Sequence, residues 1–166
     1  MPKTRKLALM AIFTAASLIV FVIEAQIPAP IPVPGVKLGL ANIVTLIAMV
    51  MLDRREAGLI LLVRIAMGSM FTGGVSAFIF SIAGGALAYA VMCLTLKLFP
   101  EKLLWVVSVL GAAAHNLGQL AAAIIITKTS SLILYAPALL ASAVITGAFT
   151  GIAAMYLIRR LDKRVG

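Results

Sequence analysis

Apolar runs broken by short polar punctuation occupy almost the whole chain. Six of them stand out, at about residues 7–27, 38–52, 56–71, 75–98, 103–127 and 132–158, divided by prolines, a glycine pair or charged turns. A helix that crosses a bilayer needs about 20 mostly apolar residues, each rising about 1.5 Å. The second and third runs are short, so one or both are expected to tilt little, break, or lie against protein rather than lipid.

The sharpest interruption is 23-IEAQIPAPIPVPGVKLGLAN-42. Pro28, Pro30, Pro32 and Pro34 each lack an amide donor and push the preceding residue toward extended backbone. A helix is excluded there, and a stiff external or covered loop is expected. Elsewhere the punctuation is ordinary. Gly73-Gly74 and Gly84-Gly85 permit a break or a close helix approach, and Glu56 in 53-DRRE-56 favours the start of a helix.

Composition turns this pattern into a class. With 63% hydrophobic and 11% charged residues and a mean hydropathy of +1.18, the chain lies far outside the range of a soluble domain. The reading is an all-α integral membrane protein, with residues 1–166 forming one compact bundle of six transmembrane helices. The basic start, Met1 to Lys6, resembles that of a signal peptide, but its apolar run is too long, Glu24 interrupts its end and no cleavage site is convincing. It is read as a retained first helix. Cys93 stands alone, so neither a disulfide nor a thiolate metal cluster is expected.

A net charge of +9 would suggest nucleic acid if the cations were scattered, but they follow the helix order. Lys3, Arg5, Lys6, Arg54, Arg55, Lys97, Lys102, Arg159, Arg160, Lys163 and Arg164 fall on one side of a six-span topology, which leaves Lys37 and Lys128 opposite and Arg64 within a span. Both termini are therefore expected in the cytoplasm and the proline segment outside. No nucleic-acid partner is implied.

Polar residues inside the runs are the candidates for chemistry. Arg64 lies at membrane depth, where a charge needs a partner or a wet cavity; it either snorkels, locks the fold through Glu24, or contacts an anion. Glu24, Lys37 and Asn42 fall within plausible reach of the same outer half. In the fifth run His115, Asn116 and Gln119 share roughly one side and either bond other helices or face a ligand. Ser81, with Ser76, Phe78, Phe80 and Tyr89, supplies the apolar walls and few donors that pockets and membrane cores both use. Ala8, Ala11, Ala15 and Ala16 form a small-residue stripe on the first run that suits close contact with another helix, internal or separate.

Enzyme signatures are missing. No glycine-rich nucleotide loop, paired carboxylates, nucleophile set or metal-ligand spacing occurs. Binding or transport of a small solute becomes the leading class, without a cofactor.

The chain resembles the substrate-binding membrane subunits, or S components, of energy-coupling-factor transporters over nearly its whole length. More closely, 35-GVKLGLANIVTL-46, Arg64 and Gly68, 80-FSIAGG-85 and 115-HN-116 resemble the family labelled heptaprenyl diphosphate synthase component I, also called the Gx transporter family. The aspartate-rich magnesium motifs of soluble prenyl-chain synthases have no match here. The transporter resemblance implies a solute site near the outer face, formed from Glu24, Lys37, Asn42, Arg64, Ser81, His115, Asn116 and Gln119, with the Pro28–Pro34 segment as its cover. It further implies that Ala8, Ala11 and Ala15 meet a transmembrane coupling subunit, that ATP is hydrolysed on two separate ATPase subunits, and that the protein resides in a prokaryotic cytoplasmic membrane. The ligand class is small and anionic or polar, including isoprenoid phosphates and cofactor precursors. The alternative is a non-catalytic membrane scaffold or accessory subunit of polyprenyl diphosphate or quinone synthesis.

Overall fold

The computed structural model describes residues 2–27, 33 and 37–165, with the backbone alone for 162–165. Among these residues there are helices and no strands: α1 (Lys3–Gln26), α2 (Asn42–Met51), α3 (Arg54–Thr72), α4 (Gly74–Thr95), α5 (Leu104–Thr127) and α6 (Ala136–Val165). Single 3₁₀ segments, Glu101–Leu103 and Ser130–Tyr135, precede α5 and α6.

Local chemistry explains where these boundaries differ from the apolar runs. α1 ends as Ile27 turns extended, the conformation favoured in front of Pro28. α2 starts at Asn42 rather than near 38, because Gly39 takes a left-handed φ of +76° and its carbonyl accepts from the Asn42 amide. Asp53 caps α3 by accepting from the Arg54 amide at 2.6 Å, which starts that helix ahead of Glu56. Positive φ at Gly73 and Gly74 separates α3 from α4. Residues 130–135 are spent on the 3₁₀ segment, so α6 begins at Ala136, with Pro137 tolerated in its first turn.

Among the described residues, four helical segments are long and apolar enough to cross a membrane: Lys3–Gln26, Gly74–Thr95, Glu101–Thr127 and Ser130–Leu161. The expectation of six helices agrees with the structure, but six equivalent spans do not. The ten residues of α2 extend only about 15 Å, half the hydrocarbon thickness. α3 has the length but carries Arg54, Arg55, Glu56 and Arg64.

Packing shows what the short helix is for. Val44 through Met49 are all buried, so α2 is enclosed on every side and acts as a core plug. It forms one apolar cluster with Phe13, Ala57, Ile60, Ala88, Met92, Leu104, Val107 and Ala154, which join α1, α3, α4, α5 and α6. α5 is the most enclosed long helix, and glycines bring its neighbours close. A Cβ on Gly118 would lie 2.5 Å from the Ala83 carbonyl oxygen, and one on Gly151 would lie 2.5 Å from the Trp105 Cα. Between these contacts Ser108 and Thr150 share a 2.9 Å hydrogen bond. The outward faces stay apolar: Ile12, Ile19, Met70, Phe71, Val75, Ile125, Ile145 and Phe149 are exposed, as lipid contact requires.

The bundle has two chemically different ends. At one, Lys6 pairs with Glu56, joining the starts of α1 and α3, while Glu101 and Lys102 share a cleft with Ile158 and Arg159. At the other end, the close of α1 and the loop before α2 meet α3, α4 and α5. There Val33 is buried in a second apolar cluster with Phe80, Leu120 and Leu139.

The glycine contact gives a direct test of this packing. Gly118→Ala is expected to force α4 and α5 apart and lower stability by about 1–3 kcal/mol. The reading is the unfolding midpoint of the purified protein in detergent; an unchanged midpoint would show that the two helices do not touch so closely.

Candidate functional site

The buried face of α1 reads Phe13, Ser17, Phe21 and Glu24, at spacings of four, four and three residues. This places one aromatic ring and one carboxylate at the end opposite the termini. The Glu24 oxygens accept the backbone N–H groups of Gly39 and Ala41, the second at 3.4 Å. Glu24 thus clamps the turn that leads into α2. Gly39 is required twice, by its positive φ and because a Cβ there would lie 2.9 Å from His115 Cδ2.

Two cations flank the Phe21 ring. Lys37 Nζ lies 4.1 Å from the ring centroid and Arg64 Cζ lies 5.8 Å from it. Both distances fall in the range of cation–π attraction. The ring is held against α3 at Gly68, where a Cβ would approach Phe21 Cδ1 to 2.6 Å.

Arg64 is buried and donates through Nη2 to Asn42 Oδ1 at 3.4 Å. The Lys37 backbone amide donates to Gln119 Oε1 at 2.9 Å, which ties the loop to α5. Lys37 lies outside the helices. Burial pushes its ammonium below the ordinary lysine range, the neighbouring Glu24 carboxylate opposes that shift, and Arg64 adds to it.

Four nitrogen atoms at this end are buried and make no hydrogen bond: Lys37 Nζ, Arg64 Nε, Asn42 Nδ2 and His115 Nδ1, the first three of them donors. Leaving such donors unpaired is costly, more so when they are charged. Glu24, Lys37 and Arg64 line a cavity with Phe21, Ser81, His115 and Gln119. Its free volume is about 10 Å³, close to that of one water-sized sphere. The arrangement can neutralise and hydrogen-bond a small anionic group.

The structure places most of the expected set together. Glu24, Lys37, Arg64, Ser81, His115 and Gln119 line the cavity, and Asn42 is attached to it through Arg64. Asn116 is placed differently: its Nδ2 donates to the Leu139 carbonyl at 2.9 Å and fastens α5 to α6. One residue along an α-helix turns the side chain by about 100°, so His115 and Asn116 serve different faces.

Pro28, Pro30, Pro32 and Pro34, expected to form the cover, lie outside the described residues. The exposed positions Ala8, Ala11 and Ala15 leave the α1 stripe without an internal partner helix, while Ala16 packs toward the core. Phe21, Gly39 and Gly84 were missed by reasoning from polar residues. Gly84 is the surface on which His115 and Gln119 rest, since a Cβ there would come within 2.9 Å of His115 Cε1 and 2.8 Å of Gln119 Cγ. Signals for them existed in the three- and four-residue spacing of Phe21 to Glu24 and Ser17, and in glycines two or three residues from Lys37, Asn42 and Ser81.

A family model described as heptaprenyl diphosphate synthase component I matches residues 13–157, which include every residue of the cavity. No curated protein and no solved structure gives a significant match.

Proposed function

The chain belongs to the heptaprenyl diphosphate synthase component I family, and from that premise we propose that it is the solute-binding membrane subunit of an uptake transporter of the energy-coupling-factor type. Its ligand carries an anionic group that enters the cavity beside Phe21. The observation that carries this reading is the pair of buried, unpartnered donors on Lys37 and Arg64 at one small space, with a third on Asn42 beside Arg64. A membrane protein that needed these groups only for packing would be stabilised by pairing them.

Supporting features extend along the chain. The cationic turns and termini gather at one end of the bundle and the cavity lies at the other, which supports cytoplasmic termini and an outward-facing site in a prokaryotic cytoplasmic membrane. Burial of Val33 supports the reading of the segment between α1 and α2 as a cover. The exposed Ala8, Ala11 and Ala15 support contact with a separate transmembrane coupling subunit, with ATP hydrolysed on two ATPase subunits of the same module. The family description names a synthase component. Among the described residues no three His, Cys, Asp or Glu side chains cluster, and this supports binding rather than diphosphate chemistry at a metal.

One observation favours a second reading. The cavity is almost filled by its own side chains, as expected if Lys37 and Arg64 brace the bundle and the protein is a non-catalytic scaffold or accessory subunit of polyprenyl diphosphate or quinone synthesis.

Arg64→Gln separates these readings. The ligand that copurifies with the parent, identified by mass spectrometry, is expected to bind the variant about tenfold to a hundredfold more weakly if it is anionic. Lys37→Gln should weaken binding as well, because its Nζ is buried at the same cavity. Parent-like affinity in folded Arg64→Gln protein would favour the bracing role. Sidedness is read by impermeant thiol labelling of intact cells in a Cys93→Ala background: Thr129→Cys should react from outside and Arg160→Cys should not, and the reverse result would invert the topology. Ala11→Leu should reduce copurification with a coupling subunit while ligand binding persists; loss of both together would assign the stripe to folding.

A further inference from the structure

The charge at the cavity sets the class of anion it takes, on the premise that it binds one. Glu24, Lys37 and Arg64 are the Asp, Glu, Lys and Arg side chains lining it, and with His115 neutral they sum to one positive charge. In a buried, poorly screened site a net charge left after binding is expensive, whether positive or negative. One negative charge on the ligand brings the site to neutrality; a diphosphate would leave it strongly anionic beside the Glu24 carboxylate.

Donor geometry agrees with charge. Glu24 is already committed to the Gly39 and Ala41 amides, so it does not use up the two cations through hydrogen bonds. Lys37 Nζ and Arg64 Nε remain at the cavity lining, and Asn42 Nδ2 remains behind them on the residue that Arg64 holds. These N–H groups suit the lone pairs of a small oxyanion such as a carboxylate. A free volume of about 10 Å³, close to one water-sized sphere, means that side chains must shift to admit any oxyanion head, and a two-phosphorus group needs the larger shift.

We propose that the cavity formed by Glu24, Lys37, Arg64, Phe21 and His115 selects a singly charged oxyanion head, typified by a carboxylate, and discriminates against diphosphates. Glu24 is the specificity-determining residue. It leaves one of the two cationic charges uncompensated, and that remainder fixes the charge of the guest.

Methanesulfonate and sulfate test this, since both present tetrahedral sulfur–oxygen faces and differ in charge. Each is titrated into detergent-purified protein at constant ionic strength and about pH 7.5, where an ordinary imidazole is mostly neutral, and the unfolding midpoint is followed. The expected result is an apparent dissociation constant at least about tenfold lower for methanesulfonate, with the effect abolished in Arg64→Gln. Glu24→Gln raises the site to two positive charges and should reverse the preference toward sulfate. Should that variant fail to fold, Lys37→Gln, with no net charge, should lose the methanesulfonate response. Sulfate binding as tightly as methanesulfonate in the parent, with the effect lost in Arg64→Gln, would overturn the selectivity and leave the anion-site reading standing. A response to neither ion would overturn both. A methanesulfonate response unchanged in Arg64→Gln and Lys37→Gln would mean an adventitious ion only, and it too would overturn the assignment.

Discussion

Burial of the Arg64 guanidinium in the middle of α3 is the constraint on which the rest of this protein depends. A cation there requires polar surroundings, and they come from three directions: Asn42 at the start of α2, the Phe21 ring on α1, and the Glu24 carboxylate nearby. Glu24 in turn grips the backbone of Gly39 and Ala41, so the same charge cluster fixes where α2 begins. The loop is anchored again where the Lys37 amide meets Gln119 on α5. One buried charge therefore organises α1, α2, α3, α5 and the loop that joins the first two.

The remainder of the bundle is built to hold that end steady. α2, too short to cross a bilayer, fills the interior and supplies apolar contacts to the long helices. Glycines at α4–α5 and α5–α6 contacts bring backbones together, and Ser108 and Thr150 satisfy each other inside the α5–α6 seam. The polar end contrasts with this. Its donors are numerous, buried and incompletely paired, and low-stability, incompletely satisfied regions are where ligands act on a fold. Close packing through the body of the bundle thus stands beside unmet hydrogen-bonding capacity at one end.

The family's descriptive name points to prenyl diphosphate synthesis, while the polar cluster of this chain is cationic with one carboxylate. A site of that kind recognises negative charge directly, through ammonium and guanidinium groups. Binding diphosphate through magnesium calls for several carboxylates in one place. The two chemistries need opposite local charge, and the lining of this cavity carries the cationic one.

By itself the sequence determined class, helix number and the residues worth watching. Apolar run length and total hydropathy are local sums, and bilayer thickness turns them into helices without any knowledge of contacts. Scarcity did the rest: in so apolar a chain, Glu24, Lys37, Arg64, His115 and Gln119 were conspicuous wherever they pointed. What those side chains meet was decided by the tertiary structure. Neighbours in sequence, His115 and Asn116 part company because the bundle offers a cavity to one face of α5 and the Leu139 carbonyl to the next. Glu24 gives its oxygens to the backbone of a turn fifteen and seventeen residues away, a choice no periodicity encodes. Phe21 is one apolar residue in an apolar helix, and it becomes the platform between two cations only because another chain segment brings charge to its face. Periodicity reports which face of a helix is buried; only packing decides what lies across from it.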